Sequence, residues 1–316
     1  MRIALATCRN LPAWERDDRP LHAALRGLGV DVRLPAWDDA AFDFGACDAC
    51  LIRTTWDYVE RRGEFVAWAE RVGAACPLFN RPEIVRWNTD KTYLRELEAR
   101  GVAIVPTVWL ERGAEPDIGR LLADRGWTRG FLKPVFGSTA RETLRFDARG
   151  EGLAQAQRHA DRLLRREALM LQPYYDTVET WGEGSVIFVA GRMTHAVRKI
   201  PRAGDYRVQD DFGACDEPYA PAAAEQAWAH DVLERAPHGL LYARVDLLRD
   251  EQGAPRLTEL ELVEPSLFFR HAPHAAEGLA EALCRAVRAG APPAARTGAG
   301  AARPPDATRA ASGPAA

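Results

Sequence analysis

Four residues near the C-terminal end have types and spacing that could gather around a cation: Arg244 and Asp246 in YARVDLLR, and Glu259 and Glu261 in TELELVEP. Side chains alternate across a strand, so Tyr242, Arg244 and Asp246 share one face, and Glu259 and Glu261 share another, with Val245, Leu247, Leu260 and Leu262 turned away. A turn over residues 250–255, where Gly253 supplies permissive backbone, joins the two strands. Centred on Gln252 and Gly253, that turn sets Asp246 opposite Glu259 and Arg244 opposite Glu261. Directly opposed carboxylates repel. The three acids are therefore either splayed into bulk water on a solvated sheet face or held around a metal ion. On the second reading the metal-free site stores like-charge repulsion, and neutralising Glu259 leaves that state no less stable.

Basic residues recur upstream at positions suited to anions. Lys91 (WNTDKTYL) falls in the first turn of an expected helix, capped by Asn88 or Thr89 and running to Arg100 before Gly101. A lysine is mildly disfavoured at that electropositive end unless it meets an anion. Lys133 lies in the apolar strand GFLKP, where a buried ammonium needs a partner. The loop FGSTAR follows, and Gly137, Ser138 and Thr139 could fold N–H groups over phosphates. Lys199, Arg202 and Arg207 arrive within nine residues around Pro201 and Gly204, either as a phosphate or carboxylate clasp or as a plain solvated loop. Arg53 ends an apolar strand just before TTWDY. Its planar fork suits a carboxylate or phosphate; an ion pair with a nearby surface acid is the alternative.

The elements that must position these groups begin with a strand over residues 2–7, a helix through Leu21, Leu25 and Leu28, strands at 30–34 and 49–53, and a helix through Phe65 and Trp68. Strands alternating with helices predict a small parallel sheet whose ligands lie beyond the strand carboxyl ends. Residues 106–175 predict a mixed layer, with strands at 107–110, 130–134, 142–146 and 169–172 and helices at 118–124 and 152–166. Strands at 184–190 and 193–199, a helix at 222–235, the acidic hairpin and a helix at 274–288 complete the pattern. From residue 291 the chain is Ala, Pro, Gly, Arg and Thr, a composition that predicts disorder.

The 316 residues, 47% hydrophobic, suffice for more than one core. A net charge of −3 gives no basic footprint for nucleic acid. No run of about 18 apolar residues predicts a membrane span, and the start reads as a strand rather than a signal, so a cytoplasmic location is expected. The six cysteines are scattered. Cys47-x-x-Cys50 has no second pair near it, which favours small buried thiols over metal or redox chemistry.

In this order, a helix-opening lysine, a Lys-Pro strand before a Gly-Ser loop, Gln172-Pro173-Tyr174 with Glu183 downstream, a basic loop, R-x-D and E-x-E, the chain resembles the ATP-grasp ligases. The resemblance covers roughly residues 1–290. WN-x-DK, GE-x-S, HAV-x-K, YARVD and ELELxEP are most similar to the small bacterial branch containing the cyclo-ligase that makes D-cycloserine from O-ureido-D-serine. It implies an α/β fold of the α+β ATP-grasp kind: a parallel N-terminal domain over residues 1–86, a central subdomain over 87–180, a C-terminal subdomain with the metal site over 181–290, and a tail over 291–316. It implies ATP and Mg²⁺, with two ions expected and Mn²⁺ as a substitute. Lys91 and Lys133 would meet the phosphates, Gly137 and Ser138 cover them, Gln172, Pro173 and Tyr174 hold adenine, and Glu183 the ribose. Asp246, Glu259 and Glu261 match the metal ligands. Arg244 would neutralise the transferred phosphoryl, with Lys199 and Arg207 at the substrate or γ-phosphate. Arg53, Trp56, Asp57, Ser266 and Arg270 are the residues to search for contacts to a small amino-acid-like carboxylate, and homodimers are frequent in the family. Two departures stand out. Glu261 replaces an Asn of many relatives, and Glu264-Pro265-Ser266 replaces a Pro-Gly, which argues against a D-alanyl-type carboxylate pocket.

The family chemistry is formation of an acyl phosphate that an amine then displaces. A non-catalytic nucleotide-binding domain and a small-metabolite kinase are the competing functions. His195, His271 and His274 have no setting that marks them as general bases.

Overall fold

The computed structural model describes residues 1–11, 15–137, 140–209 and 212–290; the expected tail and Ser138 lie outside them. The chain opens with β1 (Arg2–Thr7), α1 (Arg19–Gly27), β2 (Asp31–Arg33), β3 (Ala49–Thr54), α2 (Arg62–Ala75) and β4 (Leu78–Phe79). These strands form the expected parallel sheet, in the order β2-β1-β3-β4. β1 and β3 are near-continuous apolar runs because both faces are covered. Two short helices follow, α3 (Pro82–Asn88) and α4 (Tyr93–Ala99).

The helix expected from Asn88 to Arg100 is therefore broken, and Lys91 sits in the turn before α4 rather than in a helical first turn. Asn88 does not cap. Its side-chain amide donates to the Leu260 carbonyl at 2.7 Å and accepts from the Leu262 N–H at 2.8 Å. The long-range partner outcompetes the local one.

The middle of the chain gives β5 (Val108–Leu110), α5 (Ile118–Ala123), β6 (Arg129–Pro134), β7 (Leu144–Asp147), α6 (Gly150–Leu164), β8 (Leu169–Pro173) and α7 (Thr177–Thr180). The strands pair antiparallel as β5-β8-β6-β7, with Ile118, Leu132, Ala160 and Leu163 in one core under α5 and α6. The remainder holds β9 (Glu183–Val189), β10 (Arg192–Ile200), β11 (Cys215–Pro218), α8 (Ala223–Arg235), β12 (Tyr242–Arg249), β13 (Pro255–Glu261) and α9 (Pro273–Arg288). Its sheet runs β11-β10-β9-β12-β13, all antiparallel. β4 and β11, two and four residues long, carry too little pattern to be read from sequence.

The hydrophobic core does not respect these sheet boundaries. Ile3, Leu5 and Leu51 of the parallel sheet pack in the same cluster as Ile187, Val197 and the apolar stripe of α9. Segment 103–105 bridges to Leu257 of β13, with Val105 N–H to the Leu257 carbonyl at 3.0 Å. The acidic strand is thus fixed from both sides. No helix among the described residues is long and apolar enough to cross a membrane.

Candidate active site

A cavity of about 400 Å³ opens between the two antiparallel sheets, with Trp56, Tyr58, Val59 and Arg62 of the N-terminal region as part of its wall. The hairpin register is the expected one: Asp246 opposite Glu259 and Arg244 opposite Glu261. The charges are not left to repel, however. Arg244 grips Asp246 with two nitrogens, Nε to Oδ1 at 2.9 Å and Nη2 to Oδ2 at 2.8 Å, and Nη2 also meets Glu261 at 2.5 Å. Ser185, the cross-strand neighbour on β9, donates to Asp246 at 2.5 Å, and Lys199 stands 3.3 Å away. Burial alone would raise the Asp246 carboxyl, but Arg244 and Lys199 overcome it and hold it down at about 2.

Lys199 also bonds Glu183. One ammonium cannot neutralise two buried acids; it stays charged beside Asp246, while burial pushes the Glu183 carboxyl up. Glu259 lies 3.6 Å from Lys91 and 3.7 Å from Lys133. Burial works against its ionisation, yet the two lysines keep it below the usual range, and burial correspondingly depresses Lys133. The repulsion expected from strand register persists between the acids but is offset for the facing pair, Asp246 and Glu259, by the cations each one holds. Glu261 is the exception on the hairpin. Burial drives it up to about 7, and its contact with Arg244 only partly offsets that.

The other expected residues divide. Lys91 donates to the Gly137 carbonyl at 2.5 Å, tying the turn before α4 to the loop after β6. Gln172, Pro173 and Tyr174 line the cavity, Gln172 bonding Thr107 at 2.9 Å. Arg207 lies on the wall, paired with Asp205 at 2.6 Å and over the Phe212 ring at 3.8 Å. Trp56, Ser266 and Arg270 are wall residues too, and Arg270 is bonded to Asp17 and Asp216.

Arg53 and Asp57 are not on the wall. Arg53 is fully buried and donates twice to Asp18, at 2.8 and 2.9 Å; the paired-arginine alternative holds, with a buried acid in place of a surface one. Asp57 accepts from Trp37 Nε1 at 2.7 Å. Arg53 was expected at the site because its fork ends β3, but Asp18 takes that fork, and Asp57, in the turn beyond β3, is taken by Trp37.

Arg53 nonetheless reaches the site indirectly. The carbonyls of residues 262–266 each accept from a side chain brought from elsewhere: Leu262 from Asn80 at 2.6 Å, Val263 from Tyr242 at 2.7 Å, Glu264 from Trp56 at 3.0 Å, Pro265 from Arg53 at 2.9 Å and Ser266 from Arg244 at 3.1 Å. Side-chain donors replace a sheet ladder, so the segment leaving β13 is held rigidly along the cavity. It presents Glu264, a residue that sequence reasoning marked as a departure without giving it a role. Burial pushes the Glu264 carboxyl up to about 8. Also missed was an aromatic group of Phe131, Tyr174 and Tyr206, with the Phe131 and Tyr206 rings 5.4 Å apart edge to face. Tyr206 lies in a segment whose basic residues had masked its apolar role.

The family described as D-cycloserine synthetase DcsG, N-terminal domain, matches residues 3–80. Over 302 residues the chain is 32% identical to the cycloserine biosynthesis protein DcsG of Streptomyces lavendulae, covering 90% of this chain and 99% of that protein. The chain belongs to the ATP-grasp ligases, in the D-cycloserine synthetase branch. The crystal structure of D-cycloserine synthetase DcsG superposes with a TM-score of 0.82 at 30% identity, covering 91% of this chain and all of that one (100%). D-alanine–D-alanine ligase of Bacillus anthracis, complexed with ATP, shares the fold with a TM-score of 0.64 at 14% identity, over 92% of this chain and 98% of that one. As a member of this family the protein is an ATP-dependent, C–N bond-forming ligase.

Proposed function

We propose that this ligase activates the carboxylate of a small amino-acid-like substrate as an acyl phosphate, in the manner of a cyclo-ligase of antibiotic biosynthesis. The convergence of Lys91, Lys133, Lys199 and Arg244 with the hairpin carboxylates in one cavity carries the reading. A substrate carboxylate oxygen attacks the γ-phosphorus and ADP departs with the bridging oxygen. An amine or ureido nitrogen then attacks the acyl carbon, phosphate leaves, and the nitrogen sheds its proton. Lys91 and Lys133 neutralise the phosphates, and Arg244 meets the charge on the transferring group. Gln172 to Tyr174 hold adenine and Glu183 the ribose, while Lys199 and Arg207 face the substrate side. The three-part division at residues 86 and 180 belongs to the same proposal, supported by the three separate sheets.

Magnesium fits the donor set. Among the described residues no three His, Cys, Asp or Glu side chains close into a cage, but Mg²⁺ characteristically takes one or two carboxylates and completes its shell with phosphate oxygens and water. Glu259 and Glu261 would hold it; Asp246, with both oxygens engaged, must exchange a partner to join. Held there, the ion would supply positive charge against the phosphates. An ADP-release assay with O-ureido-D-serine and a panel of amino acids, followed by product analysis, tests the reading. Free phosphate with a new C–N bond supports it. A stable phosphorylated product would make the protein a kinase, and nucleotide binding without turnover would make it non-catalytic.

A further inference from the structure

The carboxylates on the cavity wall are not equivalent. Asp246 and Glu261 are paired with Arg244, Glu183 with Lys199, and Glu259 with Lys91 and Lys133, while Glu15 accepts from the Asp17 N–H. Glu264 has no basic side chain within ion-pair distance among the described residues. Tyr58, itself 8% exposed, lines the same cavity, and its hydroxyl works against the burial that raises the Glu264 carboxyl. Lys91, the cation whose field it feels, is already committed to Gly137 and Glu259. The Glu264 backbone cannot swing toward a cation elsewhere, because Trp56, Arg53 and Arg244 hold three consecutive carbonyls, those of residues 264, 265 and 266.

A carboxylate kept on a cavity wall, immobilised and supplied with no internal cation, is set up for a cation carried by the ligand. Its surroundings specify which kind. Trp56, Tyr58, Val263 and Phe268 line the same cavity, aromatic and aliphatic surface that suits an organic ammonium. Arg244, on the far side of Pro265, supplies the opposite charge. Phe268 is held with φ +51, a conformation a bulky residue adopts only when its surroundings impose it. This places its ring 5.6 Å from the Arg244 guanidinium and 5.1 Å from that of Arg270.

Resting on the ligase reading above, we propose that Glu264, held on the cavity wall by its clamped backbone, is the subsite for the substrate's ammonium group, so that the enzyme selects amino acids over the corresponding deaminated carboxylates. The ammonium relieves the burial that keeps the Glu264 carboxyl protonated, and it fixes the substrate carboxylate toward Arg244.

The test compares O-ureido-D-serine with 3-(ureidooxy)propanoate, and D-serine with 3-hydroxypropanoate, on the parent, Glu264→Gln, Glu264→Asp and Tyr58→Phe. Two readouts are taken: ADP release, and the melting shift with magnesium and a non-hydrolysable ATP analogue. The parent should prefer the amino form, and Glu264→Gln should raise KM for it by about thirtyfold or more while leaving KM for ATP unchanged. Glu264→Asp should restore part of the preference, and Tyr58→Phe should weaken it without abolishing it. Equal use of the deaminated partners by the parent, or a preference that survives in Glu264→Gln, would overturn the proposal. A melting shift specific to the amino forms and lost in Glu264→Gln, with no ADP formed, supports the subsite and sinks the ligase chemistry. No shift and no ADP across the whole panel overturns both.

Discussion

Glu259→Gln separates two accounts of the acidic hairpin face. Strand register alone implies that removing one of two opposed carboxylates leaves the ligand-free protein no less stable. The structure reverses that sign, because Glu259 is the shared counter-ion of Lys91 and Lys133 at 3.6 and 3.7 Å. A unit-charge attraction near that distance is ~4 kcal/mol at an effective dielectric of about 20. Desolvation offsets most of it, and a Glu259 side chain 31% exposed screens more. The neutral amide leaves two lysines facing each other, and a net loss of ~1–3 kcal/mol follows. That corresponds to a melting temperature lower by roughly 3–8 °C.

ATP should change the comparison. Its phosphates replace the missing counter-ion, so ATP without magnesium should restore much of the variant's stability. Magnesium should then stabilise the parent further and the variant little, and turnover should fall by about 10²–10³. Melting curves in four conditions (apo, ATP, magnesium, both) with ADP-release rates measure each part. A ligand-free variant as stable as the parent would refute the counter-ion role. Retained turnover with an unchanged magnesium-dependent shift would refute the metal role.

Further expectations concern single elements. Glu264 has a folded pKa of about 8 against an ordinary 4.5, so the native state holds a proton that the unfolded chain has released, and stability falls as pH rises between those values. His22, lowered to about 4 from 6.5 by burial, works in the opposite sense below 6.5, and Glu261, raised to about 7, adds to the fall up to that pH; over pH 6.5–8 the ligand-free protein should therefore lose at least ~1–2 kcal/mol, and Glu264→Gln should flatten the slope above pH 7 in pH-dependent melting. Arg53→Met strands Asp18 as an unpaired buried acid and frees the Pro265 carbonyl, a loss of ~3–5 kcal/mol in urea unfolding; unaltered stability would show that the pair is dispensable. Gly182→Ala brings a Cβ within 2.3 Å of the Lys199 carbonyl at a φ of +98, and should cost at least ~2 kcal/mol and lower turnover by displacing Lys199 from Glu183 and Asp246. A variant with parental stability and rate would show that β10 can yield there.

The hairpin was legible because a period of two and a turn together fix a register, and a slip of one residue would have turned every charge inward. Even so, its geometry was reached by a cancellation. Beyond Asp246 a bulge shifts the pairing to Leu247 with Leu257, so the turn-proximal half is centred half a residue from the half that carries the charges. Local signals failed where a distant partner outbid a near one. Asn88 looks like a helix cap and instead braces β13 across 172 residues of chain. Arg53 has the fork of an oxyanion binder, but its partners stand 35 and 212 residues away. The same separation hid Glu264. Nothing in ELVEPS tells that Trp56, Arg53 and Arg244 will hold its backbone, or that every other cavity acid but Glu15 will find an internal cation. Charge compensation is a property of the assembled wall. A sequence can nominate acids for a site, but which of them is left for the ligand emerges only when the cations have been apportioned in space, and here that apportioning leaves Glu264, rather than the opposed pair on the hairpin, as the clamped carboxylate whose cation the substrate must bring.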